Sequence, residues 1–89
     1  MPNLVPVRLV VADSARKHGI GDDDISAAVF GAVAAQVIDQ DPEKVLYLGF
    51  DTHARLLETV AVTEQGSSVL VIHAMPCRRS YIEAYLRRR

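Results

Sequence analysis

At 89 residues the chain has room for one domain and one hydrophobic core, and no second domain. Ten Lys plus Arg against eleven Asp plus Glu leave a net charge of −1, which excludes a general electrostatic grip on nucleic acid. The single cysteine, Cys77, excludes an internal disulfide framework and suits a reducing compartment.

A domain of this size buries on the order of 60–65% of the surface its unfolded chain exposes, which leaves a role for a stabilising partner chain. No charged-then-apolar leader opens the sequence, and no apolar run approaches the roughly 20 residues needed to span a bilayer. A cytoplasmic protein without a membrane partner is expected. The charges are unevenly spread. Five arginines and one glutamate lie between Arg78 and Arg89, whereas Asp22–Asp24, Asp39, Asp41 and Glu43 make the middle acidic.

Residues 1–11 are apolar with Pro2 and Pro6 near the front, a pattern for a terminal arm or an edge strand. Asp13 or Ser14 can cap a short helix through Ala15–His18, ended by Gly19. Asp22, Asp23 and Asp24 mark a second helix start, since acids complement the positive end of the helix dipole. Ile25, Ala28, Val29 and Ala32/Val33 follow at helical spacing. This helix either ends at Gly31, leaving Ala34–Asp39 as a strand, or runs on to Ile38. Asp41-Pro42 is a turn. Val45–Phe50 reads as a strand, Gly49–His53 as a bend, Arg55–Thr63 as a strand, and Glu64–Ser67 as a hairpin turn.

The following run, residues 67–75, is the organising strand. Val69 and Val71 sit on one face, and Leu70, Ile72 and Ala74 on the other, so it belongs inside a sheet. Arg79–Leu86 closes the chain as a helix with Ile82, Tyr85 and Leu86 on its apolar face. The expected architecture is α+β: two N-terminal helices, a curved antiparallel sheet of about four strands and a C-terminal helix.

A hairpin turn centred between Gln65 and Gly66 sets Val62 opposite Val69, Val60 opposite Val71 and Glu58 opposite His73. Opposed side chains lie within about 5 Å at Cβ, so Glu58 and His73 form a carboxylate–imidazole pair beside Leu46, Leu48 and Leu56. A one-residue slip would separate them.

Several short motifs recur here in a familiar order: Arg16-Lys17-His18-Gly19-Ile20, Asp22-Asp23-Asp24-Ile25, Asp41-Pro42-Glu43-Lys44 ahead of Val45–Gly49, Arg55–Val60, and the closing strand Val71-Ile72-His73-Ala74-Met75. Over about residues 13–85 they resemble the BrnT-type toxins of bacterial toxin–antitoxin pairs, small relatives of the RelE/ParE fold. The resemblance implies a single toxin-like domain, a ribonuclease that halts translation, and inactivation by a cognate antitoxin. It places Lys17 and His18 in the family's Lys-His-Gly and Arg55 at a basic position after the sheet bend. It also favours ending the second helix near Gly31. One departure stands out. The family's Ile-Ser-Ala-Arg is here Ile72-His73-Ala74-Met75, so the phosphate-holding arginine is replaced by Met75, with Arg78 or Arg79 as its substitute.

Metal-free RNA cleavage needs a base for the 2′-hydroxyl, an acid for the leaving oxygen and cations for the phosphorane charge. His73, Glu58, Lys17 and His18 are the candidate catalytic residues; Arg55, Arg78 and Arg79 are the candidate RNA and phosphate ligands. Each has a plainer reading. His73 can be a strand residue satisfied by Glu58, and Lys17-His18 can be a helix C-cap. His53 reads as solvated, Asp22–Asp24 as a helix start and Arg87–Arg89 as a solvated tail. Cys77 beside Arg78 suggests a lowered thiol pKa. Three histidines without close spacing make no metal site, and no cofactor is expected. An RNA substrate and an antitoxin are the expected partners, with a homodimer or a toxin–antitoxin hetero-oligomer as the candidate assemblies. The alternative to the nuclease is a catalytically inactive protein-binding module that keeps the fold.

Overall fold

A computed structural model describes residues 8–87 of the chain. The front of the N-terminal arm and the last two arginines of the tail lie outside the described residues. Strand β1 (Arg8–Val11) leads through a 3-10 turn (Asp13–Arg16) to helix α1 (Asp22–Phe30). Strands β2 (Ala32–Asp39), β3 (Lys44–Phe50), β4 (Leu56–Thr63) and β5 (Ser68–Pro76) follow, then helix α2 (Arg79–Arg87). The sheet order is β1-β5-β4-β3-β2. β1 runs parallel to β5 and every other pair is antiparallel.

This corrects the expected architecture. Among the described residues two helices, one between strands and one C-terminal, replace two N-terminal helices and a C-terminal one; a five-stranded mixed sheet replaces the antiparallel one of about four strands. The segment expected as a first helix makes a single 3-10 turn, closed by Gly19 at φ +77°. One turn cannot repay the cost of helix nucleation. The strand ahead of it can pair because its described residues, Arg8 to Val11, include no proline.

Gly31 ends α1, its N–H donating to Ala27 O at 2.9 Å. The alanine-rich run beyond it is strand β2, paired with β3 from Ala32 to Asp39. Ladder pairing overrides the modest helical preference of alanine there.

Alternation along the strands separates two faces. On one, Val45, Tyr47, Leu57, Ala61, Val69, Val71 and Ala74 form the core with Ile25, Ala28 and Val29 of α1. The opposite face carries Leu46, Leu48, Glu58 and His73.

The β4–β5 register also differs from expectation. Gln65–Ser67 form a 3-10 turn with Gly66 at φ +71°, and Glu64 N–H donates to Ser68 O. This longer connection puts Val62 opposite Leu70 and Ala61 opposite Val71. A bulge at Ile72 adds one further residue, so Val60 faces His73 and Glu58 faces Met75. Because a bulged strand turns its later side chains over, Ala74 joins Val69 and Val71 in the core rather than Leu70 and Ile72.

Candidate functional site

The face away from α1 gathers Glu58 of β4, His73 of β5, Arg78 just ahead of α2 and Tyr81 in its first turn. Glu58 is fully buried, on a face that is otherwise largely apolar. A carboxylate there must be fully hydrogen-bonded or it would be neutral. Arg78 supplies most of what it needs. Its backbone N–H donates to Oε1 at 2.9 Å, Nε to Oε1 and Oε2 at 3.1 and 3.2 Å, and Nη2 to Oε2 at 2.8 Å. His73 Nε2 completes the set at 2.9 Å from Oε2. Since an ionised carboxylate only accepts, Nε2 carries a hydrogen and Nδ1 is left as the other ring nitrogen. Burial by itself would push the Glu58 carboxyl up, but the Arg78 and His73 hydrogen bonds outweigh it and hold the group below its usual value.

Glu58 and His73 therefore do pair, although by a different route from the one expected. Two one-residue changes, the longer turn and the bulge, add up to two, which returns both side chains to one face as diagonal neighbours.

A second imidazole reaches the same place from the 3-10 turn. Ala12 N–H donates to Val71 O at 2.9 Å, and Ser14 Oγ to the bulged Ile72 carbonyl at 2.8 Å. These bonds hang the turn on β5, and Gly19 then folds the chain back. Arg16 clasps Asp13 and Asp22 at 2.7 and 2.9 Å, which ties the turn to the start of α1. The result is an edge-to-face contact between the His18 and His73 rings, with centroids 6.0 Å apart and planes at 78°. Ser14→Ala should cost about 1 kcal/mol. It should also part the two imidazole rings, seen as loss of the nuclear Overhauser contact between His18 and His73; an unchanged contact would remove Ser14 from the site.

Tyr81, not singled out by the sequence, is the remaining member. The Arg78 guanidinium sits 4.9 Å from its ring centroid, and Nη2 donates to its hydroxyl at 3.3 Å. The signal was the spacing, since positions three apart on a helix share a face. Cys77 corrects an expectation. Burial, followed by the nearby Glu58 charge, pushes its thiol up despite Arg78, so it is not a ready thiolate.

The other expected residues lie apart from this cluster. Lys17 is exposed next to His18, and Arg79 is exposed at the first position of α2. Arg55 braces the β3–β4 bend, with Nε on Asp51 Oδ2 at 2.7 Å and Nη2 at 3.9 Å from Asp24 Oδ2. Asp51 Oδ1 also accepts the N–H groups of His53 and Arg55. Asp24, Asp51 and His53 could offer a metal ion three ligand atoms, all within 4.8 Å of one another. The Arg55 guanidinium already neutralises these carboxylates, and the hydrogen bonds close the bend. The cluster is read as a brace for the hairpin.

Two imidazoles, one backed by a buried carboxylate, beside a guanidinium and a phenol can move protons to and from a substrate held at the cluster. Comparison with protein-family models, with curated proteins and with solved structures finds no match for this chain. Among the described residues no helix is long and apolar enough to cross a membrane.

Proposed function

We propose that this chain is a BrnT-like toxin of a type II toxin–antitoxin pair, acting in the cytoplasm as a metal-independent endoribonuclease. The observation that carries the reading is the His18–His73 contact beside the buried Glu58 carboxylate, which Arg78 also holds. The order of short motifs along the chain supports it independently. In this reading His73 takes the 2′-hydroxyl proton, with Glu58 orienting the ring and stabilising the imidazolium that forms. The 2′-oxygen attacks phosphorus, and His18 protonates the departing 5′-oxygen, leaving a 2′,3′-cyclic phosphate and a free 5′-hydroxyl. Arg78, which shares Glu58 with His73, faces the charge that grows on the phosphorane. A cognate antitoxin would silence the site by covering it.

One observation favours a second reading, an inactive protein-binding module. Arg78 directs its Nε and Nη2 into Glu58, and Met75 occupies the position where the resemblance expects an arginine. Induced expression separates the two. Wild type should arrest growth with accompanying RNA decay, whereas His73→Ala and His18→Ala, each shown to be folded by circular dichroism, should not. Arrest by the His73 variant at wild-type strength would sink the proposed mechanism. No arrest by any of the three, with no antitoxin present, would leave the binding module.

A further inference from the structure

A groove adjoins this cluster and plays no part in the mechanism above. It lies between α2 and the β2–β3 side of the sheet, has a volume of about 250 Å³, and is walled by Leu46, Leu48, Ala84 and the rings of Tyr81 and Tyr85. Two features join it to the histidine site. Tyr81 belongs to both, lining the groove while holding the Arg78 guanidinium against its ring and hydroxyl. Leu48 is directly opposite Glu58 in the β3–β4 ladder, so groove and carboxylate are one strand spacing apart.

We propose that this groove receives a nucleobase, so that the site takes a nucleotide whose phosphate lies at His18, His73 and Arg78. The inference rests on the phosphodiester reading of the histidine cluster. Size narrows the occupant first. A helix is about 10–12 Å across and drug-sized ligands fill pockets of about 300–1,000 Å³, whereas this groove suits a single flat ring system. Its surroundings narrow the occupant further. Tyr81 and Tyr85 stand four apart on one helix, offering an aromatic wall of the kind on which bases stack. The edge strand β2 supplies one side of the groove through Val33, Ala34, Ala35 and Gln36. The polar end of the groove favours a ligand that carries phosphate: His18 and His73 stand there with the half-exposed Arg78, whose guanidinium also pairs with the buried Glu58.

The test is NMR titration of the full chain with adenosine 3′-monophosphate, adenosine and inorganic phosphate as separate probes. The nucleotide should shift Leu46, Leu48 and Ala84 together with His18 and His73; adenosine should shift the groove alone and phosphate the histidines alone. Ala84→Trp, which fills the groove, should weaken nucleotide binding at least tenfold and leave phosphate binding unchanged. Tyr85→Ala gives a second variant that empties the groove instead, with a loss of about fivefold or more expected. If phosphate moves the histidines while the groove stays silent to nucleotide, the base site is wrong and the phosphodiester reading stands. If phosphate leaves the histidines unmoved, that reading fails and takes the base site with it. Groove shifts that grow with protein concentration and without nucleotide would assign the groove to a second copy of the chain, overturning the proposal.

Discussion

Gly49→Ala should cost this protein about 3 kcal/mol or more, the largest stability loss expected from adding a single methyl group. A Cβ built on Gly49 would lie 1.9 Å from the Ala28 carbonyl oxygen and 2.8 Å from its carbon. Both are backbone atoms of α1, so no side-chain rotation can relieve the clash. Instead α1 must lift from the sheet, opening space around Ile25, Ala28 and Val29, each almost wholly buried. Overpacking costs about 1–3 kcal/mol where side chains can give way, and each cubic ångström of new void adds about 24 cal/mol. A domain of this size has a total stability on the order of 5–13 kcal/mol. Gly31→Ala is the control. Its Cβ would lie 3.1 Å from the Ala27 oxygen, at a helix end that can adjust by a few tenths of an ångström. Urea unfolding should therefore show a large shift for Gly49→Ala and one of about 1 kcal/mol or less for Gly31→Ala. Equal shifts would mean that α1 does not rest on β3 as described.

The same glycine shows where sequence reading runs out. Gly49 reads as the start of a bend because it stands just before Phe50-Asp51-Thr52-His53. A glycine inside a strand can equally mark a close backbone approach, and only the helix packed over it tells the two apart. The parallel β1 was hidden for a related reason. Its partner β5 lies some 60 positions along the chain, and local hydrophobic pattern carries no information about strand direction. The end of α1 at Gly31 was one of two readings left open, since alanine suits either state when the neighbouring strand is unseen. Glu58 and His73 were legible as same-face partners because a side-chain period of two survives any even shift of register. Arg78 was legible only as a cation. Its commitment to Glu58 follows from the depth at which that carboxylate is buried, and burial depends on β3, β5 and α2 together.

Glu58→Gln should destabilise the fold by about 2–3 kcal/mol at neutral pH, and the loss should shrink as the solution is acidified. Breaking a buried ion pair costs about 3–5 kcal/mol when the remaining charge is trapped without a partner. Arg78 is about half exposed in its side chain, so water recovers part of that loss and the lower figure applies. A glutamine amide keeps the shape and one acceptor, but its NH₂ group would meet the Arg78 donors. The pH dependence follows from the direction of the Glu58 shift. Its folded-state pKa is held below the ordinary value of 4.5, so its contribution is complete above that pH and is lost as pH falls through the depressed folded value. Once Glu58 is protonated, wild type has also lost its charged partner for Arg78 and His73, and the gap to the glutamine variant should close. Asp22, Asp24 and Asp51 are likewise held low in the folded state, so both proteins should weaken in acid, wild type more steeply. Urea midpoints taken from pH 7 to pH 2 measure the gap directly. A gap of constant size would mean that the buried charge at Glu58 is not what holds α2 to the sheet. A closing gap would show that the buried charge at Glu58, through its ion pair with Arg78 just ahead of α2, ties the C-terminal segment to the sheet.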